Sequence, residues 1–182
     1  MGDVLTAKTT IEVQSTRVVG MDKGEQKWPA TVAIQRSWAD GTGTGAAQDV
    51  FCVSRSITAA AFENIDLTAA AQDDDDGDAV RTVVFVQVKA VLIENTTAAG
   101  TGGYLVVGGG TDNGAAADAW IGTAGQGWFS ADAGLMHIPN QGVLYMEAPP
   151  GITVTNATND ILGLGAVTQD QTYTLWIIGD TA

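Results

Sequence analysis

Residues 81–95, RTVVFVQVKAVLIEN, constrain the fold more than any other stretch of the chain. Val84, Val86, Val88 and Val91 combine alternation with an unbroken apolar run, and branched side chains dominate. Branched Cβ atoms lose rotamer freedom in a helix and pack well on a pleated surface, so this stretch predicts a long strand buried on at least one face. The closing segment QTYTLWIIGD has the same character, and between the two lie GYLVVGGG and other short apolar runs punctuated by Gly, Asn, Asp and Pro. Eight to ten strands with turn signals at this spacing predict an all-β chain, a jelly-roll-like β-sandwich with an extended N-terminal arm.

The arm is expected over residues 1–48. Two strands, TIEVQSTRVV and ATVAIQRSW, are joined by the polar MDKGEQKWP and followed by GTGTGAAQ (41–48), a composition that reads as a flexible linker. The sandwich is expected over 49–182, with strands at DVFCVSRSIT, AFENIDLTA, 81–95, GYLVVGG, GWFSA, LMHIP, GVLYMEAPP, GITVT, DILGLG and TYTLWIIG. AAQDVF and TAAAQDD hold at most a turn of helix, and Trp176, inside the last strand, is expected in the core.

At 182 residues and 45 % hydrophobic, the chain can bury a core without metal or disulfide staples. The lone Cys52, inside VFCVS, allows no internal bridge and reads as a small buried hydrophobe. No cationic segment followed by an apolar one opens the chain, and no apolar run approaches the length of a membrane span. The expectation is therefore a bacterial or viral product made inside a cell, with no membrane partner. MGDVLT matches a myristoylation pattern only formally, and the unmodified chain is expected. Charge is unevenly distributed. Through Arg55, six basic and six acidic residues cancel, whereas the remainder holds only Arg81 and Lys89 against fifteen acids and carries the whole net charge of −13. Such a surface repels phosphate backbones, which excludes nucleic acid as a partner of the C-terminal part.

Catalytic patterns are missing from the sequence. His137 is the only histidine and alternates with apolar residues in LMHIP, the setting of a structural side chain. The Gly-rich stretches lack the Lys-Ser/Thr of a phosphate loop and read as turns, so no enzyme activity and no cofactor is expected. The acidic run Asp73–Asp76, Gly77, Asp78 resembles a calcium loop only in part. With Gly77 sixth, Asp74 and Asp76 fall on ligand positions, but Gln72 stands first and Val83 stands where a bidentate Glu is required. A looser site on Asp74, Asp76 and Asp78 is the weak metal candidate, against a solvated hairpin tip whose repelling carboxylates guard a strand end. Asn95 and Asn156 open formal glycosylation sequons, which carry no meaning without secretion. Trp120 and Trp128, in DAWIGTAGQGWFS, are candidates for stacking on a sugar ring or for packing at an interface. In the arm, Trp28, Trp38, Val32 and Ile34 are candidates for docking on a neighbouring subunit.

Residues 54–179 resemble small structural proteins of tailed bacteriophages. The resemblance rests on SRSITAAAFENIDLTAA, VVFVQVKAVLIENTT, GYLVVGGG, HIPNQGVLYMEAPPGITVT and NDILGLGAVTQDQTYTLWIIGD, in that order. It covers about two thirds of the chain and leaves the arm, 1–48, unmatched. Proteins of this type are β-sandwich virion components, and the resemblance brings no catalytic or ligand residues with it. It implies a capsid decoration, or cement, protein at the capsid surface, partnered by the major capsid protein and by itself as a homotrimer. The alternative is a tail fibre, baseplate or adaptor component that recognises glycans through Trp120 and Trp128.

Overall fold

The computed structural model describes residues 5–21, 24–73, 79–100, 102–108, 136–156 and 160–182, with backbone alone at residue 11 and over 13–21, 24–34, 72–73 and 79–80. Among the described residues there are thirteen strands and no helix. In chain order they are β1 (Ala7–Met21), β2 (Gly24–Asp40), β3 (Ala46–Ala47), β4 (Asp49–Ile57), β5 (Ala61–Asp66), β6 (Ala70–Asp73) and β7 (Ala79–Val83). There follow β8 (Phe85–Asn95), β9 (Tyr104–Val107), β10 (Met136–Pro139), β11 (Val143–Thr153), β12 (Ile161–Ala166) and β13 (Gln171–Thr181).

The body holds two four-stranded antiparallel sheets, ordered β11-β8-β13-β4 and β10-β9-β12-β5. Their inward side chains form one cluster: Val91, Ile93, Leu175 and Ile177 from the first sheet meet Ile65, Leu105, Val107, Leu162 and Leu164 from the second. Two sheets sharing one core is an arrangement consistent with a β-sandwich. β13 shows why its sequence reads as a strand. Gln171, Tyr173, Leu175 and Ile177 alternate inward, while Thr172, Thr174, Trp176 and Ile178 point outward. Trp176 is thus half-buried on the outer face and not in the core expected for it. The unbroken runs VLI and LWII arise because Leu92, Trp176 and Ile178 are apolar on that outer face as well.

Several predicted strands are redrawn. The run 81–95 divides at Val84 into β7 and β8, and TAAAQDD contributes the strand β6 rather than a helical turn. β6 and β7 pair antiparallel across 74–78, so Asp74, Asp76 and Asp78 join two paired strands but lie outside the described residues. GVLYMEAPP and GITVT form a single strand, β11, whose register on β8 shifts between Glu147 and Ile152. Two prolines without N–H groups, followed by Gly151 at φ 90°, account for that bulge.

The segment 41–48, expected to be a flexible linker, is a closed loop around a buried lysine. Lys89 is fully buried and has no partner in either register, since Val88 and Ala90 pair with Gly179 and Ile178 on one side and Ile152 and Glu147 on the other. Its Nζ donates to the carbonyls of Thr42 (3.2 Å), Gly43 (2.9 Å) and Ala46 (2.5 Å). Asp180 Oδ1 lies 2.8 Å from the same nitrogen, where it supplies charge after the three N–H groups have been used on carbonyls. The Gln48 N–H donates to Gly179 O at 2.9 Å and the Thr181 N–H to Gln48 Oε1 at 3.1 Å, which ties the loop to the last strand. Glycines allow the turn: Gly41 and Gly45 take φ 130° and 77°.

Candidate interaction surface

The N-terminal strands form a ribbon that hydrogen-bonds to itself. β1 and β2 pair antiparallel without a break from Ala7↔Trp38 to Met21↔Gly24, and among the described residues their only other strand neighbour is β3, opposite Ala39 and Asp40. Paired residues share a face, and the face alternates along the ribbon. One face therefore holds Ile11 with Ile34, Val13 with Val32, Ser15 with Ala30, Arg17 with Trp28, and Val19 with Gln26. The other holds Thr10 with Gln35, Glu12 with Ala33, Gln14 with Thr31, Thr16 with Pro29, and Val18 with Lys27. By register the first face holds more of the apolar residues, with Ser15, Arg17 and Gln26 among them, and the second more of the polar ones.

Its root sits on the outer face of the first sheet. Trp38, 2 % exposed, packs with Ala47 and Ala90, and Leu5, Ala7, Tyr145 and Ile178 surround them. The Trp38 indole N–H donates to Thr9 Oγ1 at 3.4 Å. Arg36 forms an ion pair with Glu147, whose second oxygen accepts from the Tyr145 hydroxyl at 2.7 Å. Burial, and then the hydrogen bond and charge of Glu147, push the Tyr145 phenol up to about 12.

The sheet beneath carries an apolar floor. Register places Tyr145, Leu92, Trp176 and Cys52 in one row across β11, β8, β13 and β4, and Glu147, Ala90, Ile178 and Val50 in the next. A third row, Val143, Glu94, Thr174 and Ser54, brings an exposed valine (60 %) and an exposed acid. Between the root and this floor lies a groove of about 320 Å³ lined by Ala7, Thr9, Val50, Leu92, Tyr145 and Trp176. Burial pushes the Cys52 thiol up, which disfavours the reactive thiolate.

Of the four arm candidates, Trp38 is buried against its own body. Trp28, Val32 and Ile34 fall on the same ribbon face at the even positions leading to Trp38, described by backbone pairing alone. Trp120 and Trp128 lie outside the described residues. His137 lies on β10, exposed, with its ring stacked on Tyr104 at 4.3 Å. Asn95 is buried, donating to Ile138 O at 3.0 Å and Gln171 Oε1 at 2.9 Å, so its sequon is closed to modification. The floor residues Leu92, Tyr145 and Trp176 were not singled out by the sequence as surface; the lapse from alternation in VLI and LWII is the signal that marks them.

Comparison with protein families, curated proteins and solved structures finds no match to this chain.

Proposed function

We propose that this chain is a virion structural protein of a tailed bacteriophage: a capsid decoration protein that reinforces the head shell from its outer surface. Its partners are the major capsid protein and further copies of itself, as a homotrimer. The observation that carries the reading is a self-paired N-terminal ribbon rooted on an acidic body of two sheets. Taken in chain order, β4, β5, β8 and β9 pair respectively with β13, β12, β11 and β10, each antiparallel. This nested pairing supports a jelly-roll reading of the sandwich, an architecture used in capsid proteins. The resemblance of residues 54–179 to phage structural proteins supports the same reading. A body with no Lys or Arg from Ala90 onward faces solvent and keeps particles apart by repulsion, while affinity comes from many copies acting together.

The ribbon is the part that engages the shell. Removal of all of residues 1–48 is a poor test, because Lys89 would lose the carbonyls of Thr42, Gly43 and Ala46. A variant that replaces 13–32 with an Asn-Gly turn keeps Trp38 and the loop. On bare heads of the parent phage it is expected to lose binding while keeping the circular dichroism of the intact chain; retained binding overturns the role given to the ribbon. Cryo-electron microscopy of the particle decides location. Density repeating over the head at local threefold positions supports the decoration reading. Density confined to the tail replaces it with a tail-associated role, with glycan binding by Trp120 and Trp128 tested next.

A further inference from the structure

We propose that Lys89 and Asp180 become covalently joined: the buried amine and carboxyl group condense to an isopeptide bond that links β8 to β13. The proposal concerns the body alone and stands whether or not the chain decorates a shell.

The contact between the two side chains differs from the other ion pairs of the fold. The side chains of Lys89 and Asp180 are 0 % and 3 % exposed, and Nζ lies 2.8 Å from Oδ1. The pairs Arg36–Glu147, Arg55–Glu63 and Arg81–Asp49 are partly open to solvent, and in each the guanidinium donates a hydrogen bond to the carboxylate. Asp180 Oδ1 accepts no hydrogen bond. The N–H groups of Lys89 go instead to the carbonyls of Thr42, Gly43 and Ala46. The carboxylate therefore lies against the nitrogen with no hydrogen bond between them. For a salt bridge this is a poor arrangement. For a nucleophile it is a good one, because reacting atoms about 3–3.5 Å apart are in near-attack range.

The fold holds the pair there. Lys89 is left without a strand partner where the register of β13 on β8 shifts between Ile178 and Gly179, and Asp180 follows at once, opposite Gln87. A Cβ on Gly179 would meet the Gln87 carbonyl oxygen at 2.2 Å, so the two backbones approach more closely here than a side chain permits. Loop 41–48 closes over the amine and is tied to Gly179 and Thr181 through Gln48.

The ion pair is the state from which the bond forms. Two charges withdrawn from water carry a desolvation cost that a neutral amide does not. Rotation about Cε–Nζ turns one N–H onto Oδ1, and its proton passes to the carboxylate, leaving an amine and a carboxylic acid. The nitrogen lone pair attacks Cγ, a C–N bond forms, and the carbon–hydroxyl bond breaks. A second proton from nitrogen leaves with the hydroxyl as water. One amine and one acid thus give one amide and one water, with no oxidant, activator or cofactor, and the remaining N–H keeps a loop carbonyl. In bulk water hydrolysis opposes this condensation. Well-oriented groups reach effective concentrations of about 10⁵–10⁸ M, above that of water, and the enclosed site keeps water out. The bond closes a covalent ring that contains β9 to β12, which restricts the unfolded chain.

The test is the mass of the purified full chain, measured after denaturation. It is expected to fall below the sequence mass by one water. Trypsin locates the loss, because no Lys or Arg follows Lys89. The linked chain resists cleavage after Lys89 and yields residues 82–182 as one fragment, lighter by one water. An unlinked chain yields 82–89 and 90–182 at their sequence masses. Lys89→Arg is expected at its full sequence mass, with cleavage after position 89 restored. The wild-type digest decides by itself should that variant not fold. A wild-type chain at its full sequence mass overturns the proposal. So does a water lost elsewhere with cleavage after Lys89 intact, as a succinimide at Asp40-Gly41 or Asp76-Gly77 would give.

Discussion

Lys89 is the residue with most at stake. A fully buried ammonium is tolerated only with its hydrogens matched and its charge opposed, here by three loop carbonyls and Asp180. Lys89→Met keeps the length of the side chain but leaves Asp180 buried without a counter-charge. It is expected to cost about 3–5 kcal/mol, read as a lower urea midpoint, and adding Asp180→Asn is expected to restore part of that loss. An unchanged midpoint for Lys89→Met would show that the cage contributes nothing. Tyr145 gives the ribbon root a dependence on alkaline pH. Its phenol is raised from 10.0 to about 12 in the fold, so its contribution is whole below pH 10 and is lost as pH rises through about 12. Fluorescence of the neighbouring Trp38 is expected to report loosening across that window, and Tyr145→Phe is expected to remove the step.

At the scale of elements, β13 organises the first sheet, pairing with β8 on one side and β4 on the other. Near its end the register on β8 shifts between Ile178 and Gly179, the step at which Lys89 is left unpaired. Gly179 makes that shift feasible, since a Cβ there would collide with the Gln87 carbonyl oxygen and the Phe85 ring. Gly179→Ala must therefore move backbone, not a flexible side chain. The expected cost is about 1–3 kcal/mol in the same urea experiment, with Lys89 losing its enclosure at the same time. If Gly179→Ala unfolds with the wild-type midpoint, the close approach of β13 to Gln87 is not what the bulge depends on. The ribbon obeys a different rule. Beyond Ala39 and Asp40 its strands pair only with each other among the described residues, and the pairing of Ile11 with Ile34 and Val13 with Val32 places those four on one face.

Over the whole molecule, net charge is unevenly divided between the N-terminal segment and the body. The net charge of −13 lies on residues 56–182, while residues 1–48 balance five basic residues against five acidic ones. Repulsion between such acidic bodies opposes their close approach in solution. Under the decoration proposal, affinity lies in the ribbon and solubility in the body.

Much of the local structure was legible from the chain alone. Alternation and branched side chains marked β4, β8, β11, β12 and β13, and turn residues marked most of their ends, because these are properties of neighbouring residues. The arm candidates Trp28, Val32 and Ile34 also share one face, as their even spacing in a strand requires. Other features depended on register, and a shift of one residue inverts every face. Pairing across the sequence aligned Tyr145, Leu92, Trp176 and Cys52 into one row, put Trp176 outside instead of in the core, and seated Trp38 on its own body. Loop 41–48 was misread for the same reason. Its glycines predict freedom, and only Lys89, more than forty residues away, supplies the three hydrogen bonds that remove it. Local chemistry determined that this chain would be strands, whereas long-range pairing decided which of their faces turned inward and which outward.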